Sequence, residues 1–203
     1  MNIAATIAGE LGVKESFVAA ALKLMAEGNT VPFIARYRKE ATGGLDDSQL
    51  RTIEERSTYL RELEERKETI LAAIEEQGKL TDDLRTLIVA CETKARLEDL
   101  YLPYKKRRKT KADIAREAGL EPLTDKLIED PTADPEQLAG EYLTEGFEET
   151  KKALEGARAI LVDRFALDAD LVGEVRERMY TTGSMNAGVV EGKETEGAKF
   201  KDY

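Results

Sequence analysis

The sequence predicts an all-α protein: a multi-helical bundle built around one long central helix, with a short extended or β-like tail at the C-terminal end. Three observations carry this. Ala, Leu, Glu, Lys and Arg dominate the 203 residues, and these side chains lose little freedom on entering a helix. The 15 Gly and 5 Pro cluster where helical periodicity breaks. Over most of the chain, apolar residues recur at three- and four-residue steps, the stripe of an amphipathic helix.

Each element follows from that pattern. Ile3, Ile7 and Leu11 predict a short helix over 2–11 that closes near Gly12. Val18, Ala21, Leu22 and Met25 predict a second over 14–27, stopped by Gly28-Asn29, which tolerate left-handed backbone. Pro32 suits the first turn of a third, short helix, ended by Gly43-Gly44. Residues 46–77 are the strongest element, with Asp46 or Asp47 as N-cap and Gly78 as stop. Its stripe runs through Leu50, Ile53, Leu60, Leu63, Ile70 and Ile74, with Ser57 and Lys67 on the same line, so it is no clean coiled-coil seam. About 32 residues at ~1.5 Å each make a spine of roughly 48 Å.

Thr81 N-caps the next helix, whose apolar face holds Leu84, Leu87, Ile88 and Cys91, the cysteine packing there as a small apolar residue. Ala95–Leu102 continues in helical period until Pro103. Further helices are expected at 112–119, 122–129, 135–144 and 147–165, and one starting at Asp168 or Asp170 with Leu171, Val175 and Met179. Beyond Thr181, glycines interrupt Val, Thr and Lys, and Val189-Val190 with Lys199-Phe200 suggest a hairpin. The chain stops at Tyr203 without a finishing signal, as a piece of something longer does. The expected organisation is a helical segment over 1–45, a helical domain over 46–181 and a tail over 182–203 leading toward further domains.

Composition narrows the chemistry. Histidine is absent, which excludes a His-based triad, His metal site or His general base. One cysteine excludes an internal disulfide and the common zinc sites, and fits a reducing cytoplasm. No leader pattern and no long apolar run point to a membrane. The carboxylate pairs, such as Glu54-Glu55 and Glu64-Glu65, are sequence neighbours that diverge by about 100° on a helix and converge on nothing. The sequence therefore predicts no enzyme, no cofactor and no metal.

The net charge is −10, yet six of the seven residues in Lys105–Lys111 are cationic, leaving −16 on the rest of the chain. Lys105, Lys106, Arg107, Arg108, Lys109 and Lys111 are candidate phosphate contacts, and Tyr101 and Tyr104 lie beside them for base stacking. The same run would equally serve as a docking strip for the chain's own acidic surface or for a protein partner. Arg36, Arg38 and Lys39 form a second basic group of candidate nucleic-acid contacts next to Phe33 and Tyr37, aromatics that an ordinary amphipathic turn would use as core anchors.

Four stretches carry a family resemblance: VPFIARYRKEATGGL at 31–45, LEDLYLPYK at 97–105, RRKTKADIAREAGLEPL at 107–123 and EGAKFKDY at 196–203. In order and spread over nearly the whole chain, they resemble the Tex family of bacterial transcription accessory proteins. The resemblance implies a helical N-terminal region with helix-turn-helix-like elements. It also implies a larger protein in which an RNase H-like domain, helix-hairpin-helix elements and an OB-fold RNA-binding domain follow. It implies a non-catalytic scaffold and binding of RNA or DNA mainly by the downstream domains; the alternative is a protein-interaction module that docks on the transcription machinery or on the parent's own other domains. The tail at 182–203 is expected to pair with a second copy where its continuation is missing.

Overall fold

The structure, a computed structural model, describes residues 2–200. Among the described residues it is all-α, with twelve α-helices and no sheet. The chain divides into two compact units, one up to Tyr104 and one from Lys105.

The first unit contains α1 (Ile3–Leu11), α2 (Glu15–Ala26), α3 (Val31–Tyr37), α4 (Asp47–Glu76), α5 (Asp82–Val89) and α6 (Lys94–Tyr101). The spine is α4. Its 30 residues span about 45 Å at ~1.5 Å each. A capping box starts it: Asp46 accepts from the Gln49 amide at 2.8 Å while the Gln49 side chain accepts from the Asp46 amide at 3.1 Å. The stripe from Leu50 to Ile74 is buried as expected, and the other five helices of the unit pack along α4.

Two polar residues ride in that stripe. Lys67 is only 4% exposed, and its ammonium donates to the Val89 carbonyl at 2.8 Å and pairs with Glu64 at 2.8 Å. Val89 ends α5, where a carbonyl has no partner within its own helix. The lysine thus caps α5 from the middle of α4. Replacing it with Met keeps the volume and removes the charge-assisted bond. Lys67→Met is expected to cost about 2 kcal/mol of stability in urea unfolding. Cys91 is buried, its thiol donating to the Leu87 carbonyl at 3.3 Å, and burial pushes its pKa up.

The second unit contains α7 (Lys111–Glu117), α8 (Glu121–Glu129), α9 (Pro135–Gly140), α10 (Thr150–Leu167), α11 (Ala169–Thr182) and α12 (Glu194–Gly197). Its core joins Ala115, Leu120, Leu123, Ala139, Ala153, Ala157 and Ile160, and α7, α8 and α9 all pack on α10. The residues between α7 and α10 are small. A Cβ on Gly156 would lie 2.6 Å from Leu120 Cδ1, 2.9 Å from Phe147 Cε1 and 3.3 Å from Ala115 Cβ, so glycine is what lets the two helices meet. Asp168 is the N-cap of α11.

Three expectations need correction. The helix predicted over 135–144 ends at Gly140, and α10 begins at Thr150, because Thr144 and Phe147 instead exchange backbone hydrogen bonds across a tight turn (2.8 and 3.4 Å). The apolar stripe of α11 is not a core face, since no residue of α11 is buried and Val175 and Met179 stand exposed. The β-like hairpin is not formed. Residues 184–190 have no regular structure, and Lys199 and Phe200 belong to a 3₁₀ turn after α12. A two-stranded ribbon with little apolar surface to bury is marginal, and local helical bonds such as Gly197 N–H to Lys193 O (2.8 Å) take its place. Residues 201–203 of the fourth resembling stretch lie outside the described residues.

Candidate nucleic-acid interface

The basic run opens the second unit. Residues 106–110 are irregular backbone leading into α7, and Lys105, Lys106, Arg107, Arg108, Lys109 and Lys111 are all exposed. The end of the loop is fixed by a capping box. Thr110 Oγ1 accepts from the Asp113 amide at 3.2 Å, and Asp113 Oδ2 accepts from the Thr110 amide at 2.9 Å. Thr110 is therefore a structural residue inside the run, and the Thr-x-x-Asp spacing was the signal that marks it.

Two of the six cations are consumed inside the unit. Arg107 makes a two-pronged contact with Asp163 of α10, Nη1 to Oδ1 at 2.6 Å and Nη2 to Oδ2 at 3.0 Å. Asp163 is 10% exposed and also accepts from Arg116 Nη1 at 2.8 Å. The pairs continue through Arg116 to Glu121 (3.8 Å), from Glu121 to Arg164 (2.8 Å) and from Arg164 to Asp125 (2.6 Å). The Arg107 guanidinium holds the Asp163 carboxyl below the usual carboxylate range against the opposing effect of burial, and Arg116 adds to the lowering. The same hydrogen bond raises Arg107. Lys109 pairs with Glu117.

The other four, Lys105, Lys106, Arg108 and Lys111, have no carboxylate partner among the described residues. Part of the loop is thus docked on acidic helices of its own unit, and the rest is presented to solvent. No spacing in the sequence marks Asp163, 56 positions from Arg107. Tyr101 and Tyr104 are half-buried, and Arg66 already stacks on the Tyr101 ring (5.4 Å).

The second basic group sits at the end of α3 in the first unit. Val31 and Ile34 anchor this helix in the core. Phe33 and Tyr37 are not core anchors, because a two-turn helix buries one face and they fall on another. Phe33 is half-buried and Tyr37 is 59% exposed. Their rings lie 5.2 Å apart, with Arg38 5.1 Å from the Phe33 ring and Arg36 6.0 Å from the Tyr37 ring. Arg36, Arg38 and Lys39 are exposed and without carboxylate partners among the described residues. The turn that follows is tightly built. Buried Thr42 donates to the Arg38 carbonyl at 3.1 Å, and Gly43, at φ +63°, leaves room for the Phe17 ring, which a Cβ would meet at 2.3 Å. The expected stop at Gly43-Gly44 is corrected: α3 already ends at Tyr37, where the Arg38 amide donates to the Ile34 carbonyl, and Gly43-Gly44 close the turn that follows.

No group of three His, Cys, Asp or Glu among the described residues is placed to hold a metal ion, and no helix is long and apolar enough to cross a membrane.

Comparison with known proteins matches two family models. The Tex-like protein N-terminal domain covers residues 1–75, and the Tex central region-like model covers residues 130–203. The transcriptional accessory protein Tex of Neisseria gonorrhoeae is 56% identical over 203 residues, all of this chain and 27% of the relative. The chain belongs to the Tex family. Protein YhgF of Escherichia coli (strain K12) is 57% identical over 199 residues, 97% of this chain and 26% of that protein. The human S1 RNA-binding domain-containing protein 1 is 32% identical over 159 residues, 76% of this chain and 16% of that protein. The chain thus spans about a quarter of the length of its bacterial Tex-family relatives. The Tex N-terminal model takes in α1 to α3 and nearly all of α4, including Arg36, Arg38 and Lys39. The basic run at 105–111 lies between the two matched segments.

Proposed function

We propose that this region is a non-catalytic helical scaffold of a Tex-like transcription accessory protein and that it contributes phosphate-backbone contacts to RNA or DNA. The observation that carries the reading is the divided basic loop: Arg107 and Lys109 tether it, and Lys105, Lys106, Arg108 and Lys111 are left unpaired on its exposed side. A tethered loop presents its cations without a large ordering cost on binding. Lysines and arginines contacting phosphates read backbone rather than base, so binding would be salt-dependent and indifferent to sequence. Arg36, Arg38 and Lys39 beside exposed Tyr37 are the secondary contact, where a base can stack. Short helix pairs such as α7 and α8 are the helix-turn-helix-like elements in this proposal, and the site of action is the cytoplasm, where transcription takes place in bacteria.

A second reading has its own support. Arg107 and Lys109 show that this loop accepts carboxylates, so the free cations would equally dock an acidic surface of the transcription machinery or of another part of a longer chain. Fluorescence anisotropy of the 203-residue chain with a short labelled single-stranded RNA across a salt series separates the two. Binding whose logarithm falls linearly with log salt supports the nucleic-acid reading, and no binding at low salt favours the protein-docking one.

A further inference from the structure

The second unit carries a groove beside the basic run, which shares only Lys111 with it. It has a volume of about 540 Å³ and lies between α7 and α10. Its apolar floor is Ile114 from α7, Phe147 from the preceding turn, and Gly156, Ala159 and Val162 from α10. Ile114 is 48% exposed and Val162 60%, large fractions for branched aliphatic residues on a folded surface. The lining positions on α10 (152, 155, 156, 158, 159 and 162) are linked by steps of three and four, so they form one face about three turns, or ~15 Å, long.

The rim is basic. Lys111 and Arg158 have no carboxylate partner among the described residues, Lys152 pairs only with its helix neighbour Glu149 at 3.0 Å, and Glu155 is the one acidic lining residue. We infer that this groove receives an acidic amphipathic helix from a protein partner. The occupant's aliphatic residues at i, i+4 and i+7 seat over Ile114, Ala159 and Val162, and its flanking carboxylates face Arg158, Lys152 and Lys111. Anchors at i, i+4 and i+7 span about two turns, ~10.5 Å, and fit within the groove. The floor is aliphatic, and its single ring, Phe147, is half-buried against Gly156, so no exposed aromatic face is offered to a nucleic-acid base.

The test uses a labelled Ala-rich helical peptide of about 15 residues, with Leu at i, i+4 and i+7 and Glu on both flanks. Anisotropy is followed with the 203-residue chain and its variants. Saturable binding is expected, weakened at least about tenfold by Val162→Asp and about three- to fivefold by Arg158→Glu. Both sites are exposed, so neither variant disturbs the core, and Arg158→Glu carries the test should Val162→Asp lower stability. A peptide with Lys in place of Glu is expected to bind at least about fivefold more weakly. Equal binding of the Glu and Lys peptides, or full binding to Val162→Asp, overturns the inference. So does loss of RNA affinity in Arg158→Glu, which would assign the rim to nucleic acid.

Discussion

Changing Lys105, Lys106, Arg108 and Lys111 together to Gln weakens binding of a short single-stranded RNA several hundred-fold at about 0.1 M monovalent salt, if each contacts one phosphate. The magnitude follows from counterion release. Each phosphate neutralised on a single strand contributes about 0.7 to the slope of log K against log salt, so four contacts contribute roughly 2.8. At about 0.1 M that corresponds to a factor of roughly 10²–10³ relative to 1 M salt, where the advantage vanishes. The loss should therefore shrink steadily as salt is raised. All four side chains are exposed, and none makes an ion pair among the described residues, so the variant is expected to keep its thermal stability within about 0.5 kcal/mol. A fall in affinity that does not depend on salt would mean that the cations act through something other than phosphate.

The second large effect is on stability. Asp163→Asn removes the charge that holds both Arg107 and Arg116. Asp163 is nearly buried while the arginines are partly exposed, so the cost lies below that of a fully buried pair, at about 2–3 kcal/mol near neutral pH. Its pH dependence has a definite sign. The folded-state pKa of Asp163 is depressed, so its contribution is complete above the unfolded carboxylate value near pH 4 and is lost as pH falls through the lower folded value. Urea unfolding of the wild-type chain and Asp163→Asn should differ by a constant amount from about pH 7 to pH 5, and the curves should converge below about pH 4. Hydrogen exchange in residues 106–110 should quicken in the variant at neutral pH, because the loop has lost its anchor on α10. A gap that persists in acid would place the effect in packing rather than charge.

What could be read in advance depended on how local the determinants are. The spine was legible because everything that makes α4 is within a turn or two of itself: an Asp N-cap at its start, the glycine at 78 and a stripe of three- and four-residue steps. The positions of Ser57 and Lys67 in the stripe were legible too, but the acceptor that makes a buried lysine tolerable, Val89 O, is 22 residues away and belongs to another helix. The basic run itself was legible as a charge anomaly. Its division into docked and free cations was not legible, because that depends on Asp163 facing Arg107 across the α7–α10 contact. Tyr37 and Val175 were expected to pack inward because periodicity names a face and not its partner. Both faces stand open in the described structure. The tail misled for a related reason: valines separated by glycines look like strands, but without a neighbouring sheet the chain closes short helical bonds instead.

The central claim is that the loop's cations are divided in role, and two single variants test it most directly. The salt slope of RNA binding is measured for Arg107→Gln and Arg108→Gln beside the wild-type chain. Arg108 is free and should contribute a phosphate contact, so its loss lowers the slope by about 0.7. Arg107 is spent on Asp163, so its loss should leave the slope unchanged while lowering stability. Equal reductions in slope from the two variants, or a reduction from Arg107→Gln alone, would contradict the account.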